Sequence, residues 1–248
     1  MPDGAGDFRP RAQQARLKTG GADSHIMADR ILIVGAGGFG REVLQWTRDA
    51  GLDRGGARIV GFLDDNPDAL TGSGPHDVPV LGPVATYRPR PEDRLVCGLG
   101  VPSVKQRCLP GLVARGARFL TVVHPSAAVG ANVRLGPGCV ICPGCVLTTD
   151  IELGEFVMLN CCSTIGHDSQ VGEYTTLSGH ACVNGHCRLG RAVFLGSNAV
   201  VLPGVQVSDG ATVGAGSVAW KTVPARTTVF GVPAKPIWVQ PDEPSGQL

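Results

Sequence analysis

The chain has 248 residues and a formal charge of +1, from 22 basic and 21 acidic side chains scattered along it. That balance excludes an electrostatic footprint for nucleic acid or an anionic membrane surface. No apolar run approaches the ~18 residues a membrane span needs, and the N-terminus lacks the basic start and apolar stretch of a secretory signal. Nine cysteines in a chain large enough to need no disulfide staples read as reduced, structural thiols of a cytoplasmic protein.

In chain order, residues 1–28 are polar, rich in Gly, Arg and Gln, and aperiodic, which predicts a disordered extension; Met27 stands just before the first strand as an alternative start. Residues 29–120 read as an α/β domain. Residues 31–34 predict a strand, 40–50 a helix, 59–63 and 94–97 two further strands, and 102–116 a second helical segment. Between the first strand and the first helix lies Gly35-Ala36-Gly37-Gly38-Phe39-Gly40, a GxGxxG turn. Such a turn lets a ligand approach the backbone and offers a helix N-terminus to phosphate. A dinucleotide usually spans two mononucleotide halves, and only about 90 residues precede the repeat described next. A Rossmann-like half-site is therefore expected, holding one nucleotide or one phosphate-bearing sugar at Gly35, Gly37, Gly38 and Gly40. Asp64 and Asp65, at the end of the second strand, would meet its ribose or base. The alternative is a tight strand-to-helix turn with no ligand.

Residues 121–238 read as a second domain, within which Val129 to Val213 keep an unbroken six-residue beat that the chain leaves after Ala219. Every sixth position from Val129 through Leu135, Ile141 and onward to Val213 is aliphatic. Four places later the side chain is always small or β-branched, a slot that takes Cys139, Cys145 and Cys187. A period of six fits neither a helix nor a strand meander; it predicts an all-β parallel β-helix of hexapeptide repeats, three hexads to a coil. The aliphatic series points inward, and residues 18 apart stack on one another. The frequent glycine after the aliphatic residue is expected to supply a positive φ at the bend. Residues 239–248 read as a loose polar tail.

The repeat, closed by Gly231-Val232-Pro233-Ala234-Lys235-Pro236, resembles the left-handed β-helix acyltransferases of the hexapeptide-repeat superfamily. With a short Rossmann-like domain in front, it resembles more narrowly the sialic acid O-acetyltransferase and bacillosamine UDP-sugar N-acetyltransferase group. Further markers are Gly61-Phe62-Leu63-Asp64-Asp65, Gly98-Leu99-Gly100, His124-Pro125-Ser126-Ala127, and Asn160 with Gly166-His167-Asp168. Left-handedness is what the resemblance implies.

Acyl transfer from a thioester needs a base for the nucleophile's proton, and a neutral imidazole suits neutral pH. His167 lies on an outward position, and a carboxylate on its other ring nitrogen would fix the tautomer. On spacing alone, a surface histidine beside a turn aspartate is the alternative. The resemblance assigns His167 as catalytic base, Asp168 as its orienting partner, and Asn160 as a further site position. Gly185, 18 residues after His167, would present an N–H to the developing oxyanion. Some relatives carry a second histidine nine residues after the first, where this chain has Thr176. His180 and His186 stand nearby and are expected to line the acceptor or CoA cleft. A metal is not expected, because His180 and His186 fall on adjacent faces and do not match the ligand spacing of β-helix carbonic anhydrases. By resemblance, Thr176, His186, Gly196, Ser197, Gly214, Ala215 and Lys221 are CoA contacts, acetyl-CoA or another acyl-CoA is the co-substrate, and the assembly is a homotrimer.

The function expected is acylation of an amino or hydroxyl group on a nucleotide-activated sugar. Two alternatives are an acyltransferase for an amino acid or specialised metabolite, and a non-catalytic nucleotide-binding scaffold or sensor.

Overall fold

The computed structural model describes residues 29–74 and 76–240. The expected N-terminal extension and most of the expected tail lie outside the described residues. The first domain is a parallel sheet of β1 (Arg30–Val34), β2 (Arg58–Leu63), β3 (Val80–Gly82) and β4 (Asp93–Cys97), in the order β3-β2-β1-β4. Helices α1 (Gly38–Asp49) and α2 (Pro102–Ala114) accompany it. β3 escaped the sequence reading: three residues are too short for a period. The strand order turns outward from β1 to β4. The switch point of the sheet therefore lies between the turn after β1 and the Gly98-Leu99-Gly100 turn after β4, the crevice where open α/β sheets bind ligands.

The chain then enters a parallel β-helix of two-residue strands. Face 1 runs from Val122–Val123 to Thr212–Val213, face 2 from Ala128–Val129 to Val218–Ala219, and face 3 from Arg134–Leu135 to Gln206–Val207. Each strand pairs in parallel with the strand 18 residues on, as in Thr164↔Cys182 and Gln170↔Arg188. The inward aliphatic series is buried from Ile141 onward, and Cys139, Cys145 and Cys187 are fully buried beside it. Val129 departs from the expectation, with 42% exposure, because it sits in the first coil of face 2 and no coil lies beneath it to cover it. Burial drives the thiols of Cys139 and Cys145 upward to about 12 and about 11, so they behave as small hydrophobes.

The glycines that follow the aliphatic residues serve a purpose other than the one expected. Positive φ falls two places later, at residues such as Asp168 (59°) and His186 (60°), while Gly166 is absent from the positive-φ set. What glycine provides is close stacking: a Cβ on Gly166 would lie 2.5 Å from the Gly185 nitrogen, and one on Gly130 would lie 1.6 Å from the Thr148 carbonyl.

The three faces meet different surroundings. Face 1 is covered by the α/β domain: its outward Val122, Val140, Met158 and Thr176 are buried. Lys105 of α2 crosses this joint completely buried, donating to the carbonyls of Phe156 (2.8 Å) and Thr175 (3.2 Å). Face 3 presents exposed Arg134, Glu152, Gln170, Arg188 and Gln206. Face 2 presents Ala128, Val146, Thr164, Cys182, Val200 and Val218, a mostly apolar strip only partly shielded in a single chain. Past Ala219 the chain forms a hairpin, Thr227–Gly231 with Ala234–Val239, whose first strand extends face 1.

Candidate active site

The edge between faces 2 and 3 carries the His167 constellation. His167 follows the tightly stacked Gly166, and Asp168 takes the left-handed conformation that an aspartate tolerates better than most residues. The imidazole and the carboxylate are thereby turned toward each other, with His167 Nδ1 at 2.7 Å from Asp168 Oδ2. With the carboxylate accepting a hydrogen bond from Nδ1–H, the ring's lone pair is left on Nε2. That nitrogen faces the next coil, where a Cβ on Gly185 would lie only 2.7 Å from it. Gly185 thus stands over the imidazole as the 18-residue arithmetic requires, and a side chain there would push the ring aside.

The same arithmetic brings in His186 more closely than the sequence reading placed it. It stacks above Asp168 in the left-handed column, its N–H donating to the His167 carbonyl at 2.7 Å. Its Nε2 lies 3.8 Å from Asp168 Oδ2, and its ring meets that of His167 edge to face, with centroids 4.9 Å apart. A groove of about 600 Å³ runs from this point along face 3, lined among others by Asn132, Arg134, Glu152, Asp168, His186 and Arg188. The sequence reading missed its polar walls, although stepping back 18 residues from Asp168 and Gln170 leads to Asp150 and Glu152.

The remaining site positions fall elsewhere. Asn160, Gly196, Ser197, Gly214 and Ala215 share the opposite edge, between faces 1 and 2, stacked coil on coil. Asn160 Oδ1 accepts there from the Cys161 N–H at 2.7 Å. His180 stands on that edge too, over Cys162 as expected, its N–H donating to the Cys161 carbonyl. Lys221 lies at the end of the helix beside Trp220, its Nζ 5.0 Å from the ring centroid, in a hollow of about 340 Å³. Thr176 corrects the expectation. It is buried in the domain joint with its Oγ1 donating to the Gly100 carbonyl at 2.8 Å, and so is shut away from any CoA. The outward register of face 1 puts it beneath the α/β domain.

In the first domain, Gly35 holds a φ of 96°, and a Cβ on Gly40 would lie 1.9 Å from the Gly35 carbonyl oxygen, so both glycines are fixed by the turn itself. Gly37 and Gly38 are exposed, with open space beside them. Asp64 Oδ2 accepts from the Ala36 N–H at 2.8 Å and Oδ1 from Asn66. Asp65 accepts from Ala85 at 3.1 Å. A carboxylate inside the turn repels a phosphate placed against that N–H, which leaves Gly37 and Gly38 as the approachable part.

A family model of the PglD N-terminal domain matches residues 30–111, and one of the hexapeptide repeat of succinyl-transferase matches residues 187–218. The chain is 29% identical over 215 residues to the GDP-perosamine N-acetyltransferase of Escherichia coli O157:H7, covering 82% of this chain and 94% of the relative. The chain thus carries a PglD-type N-terminal domain ahead of hexapeptide repeats and is similar over most of its length to a sugar N-acetyltransferase. Among solved structures, WeeI from Acinetobacter baumannii AYE matches with a TM-score of 0.76 at 28% identity, over 85% of this chain and 100% of that one. PerB from Caulobacter crescentus, solved in complex with CoA and GDP-perosamine, matches with a TM-score of 0.76 at 28% identity, over 88% and 100%. Both likenesses embrace the α/β domain and the β-helix together. No helix among the described residues is long and apolar enough to cross a membrane.

Proposed function

We propose that this protein transfers the acetyl group of acetyl-CoA to the amine of a nucleotide-linked amino sugar. The observation that carries the reading is the His167–Asp168 pair with Nε2 facing Gly185, in a chain that matches a GDP-perosamine N-acetyltransferase over nearly its full length. The amine nitrogen attacks the thioester carbon while His167 Nε2 takes its proton. Asp168 holds the tautomer and balances the imidazolium that forms. The Gly185 N–H stabilises the oxyanion. Collapse of the tetrahedral intermediate breaks the C–S bond, and the proton on His167 passes to the departing CoA sulfur.

The acceptor's nucleotide rests at the crevice between β1 and β4, against Gly37, Gly38, Asp64 and Asp65. CoA runs along the edge of Gly196, Ser197, Gly214 and Ala215 toward Lys221. Within one chain these places are far from joined: the α/β domain covers face 1, whereas His167 lies on the edge opposite that face. A homotrimer packed through the apolar face 2 resolves this, since it sets the edge of His167 in one subunit against the CoA edge and α/β domain of the next. It also covers the strip that a lone chain leaves open.

The test is thiol release from acetyl-CoA across UDP-, GDP- and dTDP-linked amino sugars, with free amino acids as a control panel. Release with one of the nucleotide amino sugars, lost in His167→Ala, is the expected result. Release with an amino acid alone, or with none above CoA hydrolysis, overturns the reading. Sedimentation of the purified protein should give three chains per particle.

A further inference from the structure

The three groups at the corner of faces 2 and 3 have a property that proton transfer does not use. His167, Asp168 and His186 each offer a ligand atom, and those atoms all lie within 4.8 Å of one another. We infer that this corner binds a divalent transition ion of the Zn²⁺ class, and that the bound ion switches the His167 base off.

Two imidazoles and one carboxylate select Zn²⁺, Co²⁺ or Ni²⁺ over Mg²⁺ and Ca²⁺, which prefer all-oxygen shells. In a tetrahedral zinc site with Zn–N and Zn–O near ~2.0–2.2 Å, donors sit roughly 3.3–3.5 Å apart. The His167–Asp168 contact of 2.7 Å and the Asp168–His186 contact of 3.8 Å bracket that spacing. Closing them around an ion takes small rotations of exposed side chains, with water in the fourth position. The backbone is already set: the His186 N–H bonds the His167 carbonyl across the coils, and the left-handed turns at Asp168 and His186 hold the column in register. Stacking by 18 thus supplies from neighbouring coils what a zinc-binding loop supplies by sequence spacing. The expectation of no metal weighed His180 with His186, whereas the groups brought together with His186 are His167 and Asp168.

The consequence for the reaction follows from proton placement. An ion on His167 Nδ1 takes the lone pair there, and the proton that Nδ1 shared with Asp168 moves to Nε2. No charge is lost from the neutral ring, but Nε2 becomes a donor and can no longer accept the amine's proton. Asp168 is drawn to the ion as well. The base is thereby disabled without any change of fold.

This inference concerns the site of the proposed reaction but does not need that reaction for its test. The full chain, stripped with EDTA and desalted, is titrated with Co²⁺ and followed by visible absorption, then by displacement with Zn²⁺. One Co²⁺ per chain is expected, displaced by Zn²⁺, with His186→Ala weakening binding by more than the ~10-fold that loss of an outer-shell partner costs. Absence of saturable binding up to millimolar Co²⁺, or binding unaltered in His186→Ala, overturns the site. Where acetyl transfer is measurable, Zn²⁺ should inhibit over the concentration range in which it displaces Co²⁺, and EDTA should restore the rate. His186→Ala should move the half-inhibitory concentration upward to match. Inhibition equal in the variant would trace to a thiol such as the exposed Cys162 and overturn the switch. If Co²⁺ binds as described but no acceptor is acetylated, the metal site stands and the proposed function falls.

Discussion

The β-helix and the α/β domain place their functional groups by different means. In the β-helix every residue's neighbour is the one 18 positions away, so Gly185 over His167 and His186 over Asp168 are consequences of counting. In the α/β domain, Asp64 meets Ala36 across 28 residues that obey no period, and Lys105 meets Thr175 across 70. A repeat converts sequence into geometry at a fixed exchange, whereas an α/β layer does so only through the packing of whole elements. On the proposed function, the chemistry is assigned to the region where position is rigid and repeated, and acceptor choice to the region where the turn and strand ends can vary.

Substitutions in the two regions should separate along this line. The largest effect belongs to the base: His167→Ala should lower kcat/KM by roughly 10²–10⁴-fold, measured at saturating acetyl-CoA, with unfolding unchanged. Gly185→Ala comes next. Its Cβ would sit 2.7 Å from Nε2, and displacing the imidazole by about 1 Å should cost on the order of 10²-fold, in kcat rather than acceptor KM. A Gly185→Ala enzyme with normal kcat would mean the ring does not work from this position. In the α/β domain, Asp65→Asn keeps an oxygen for the Ala85 N–H but loses a charged acceptor. Steady-state kinetics should show acceptor KM rising about tenfold with kcat little altered, the loss of one hydrogen bond to a charged group. A fall in kcat instead would place Asp65 nearer the chemistry than the comparison allows.

The smallest effect tests the joint. Burial lowers the pKa of Lys105 from 10.5 to about 8. Between those values the unfolded chain holds a proton that the folded chain has released, so this residue makes stability rise with pH across the window. Buried thiols such as Cys139, raised by desolvation, act in the opposite sense above about 9. The readout is therefore the difference between wild type and Lys105→Met in denaturant unfolding. Wild type should gain on the order of 1–3 kcal/mol relative to the variant from pH 8 to 10.5. Parallel pH curves would show that the amine is not desolvated at the joint.

Much of this was legible in the residues themselves. The hexad beat yielded the β-helix, the buried cysteine slot, the stacking of Gly185 on His167 and that of His180 on Cys162. The GxGxxG turn and the five longest elements of the α/β domain were readable from local pattern. What failed did so for physical reasons. Glycine after the aliphatic residue was assigned to positive φ, when the constraint is contact between coils. Thr176 was assigned to CoA because a one-dimensional repeat does not show which face a separate domain will cover. β3 and the C-terminal hairpin lie outside any period, and the polar groove of face 3 depends on side chains from four coils at once.

Lys105 carries a last consequence, for the order in which the molecule is made. Its α2 emerges from the ribosome well before Phe156, and 70 residues before Thr175, the two residues whose carbonyls receive its amine. Until those coils close, the ammonium has no partner to replace its water, so the α/β domain has to wait with that surface wet. The β-helix grows coil by coil and delivers both carbonyls on successive turns. The newborn domain is therefore seated from outside, by coils synthesised after it, and Lys105 gains its second carbonyl only when the coil of Thr175 has closed.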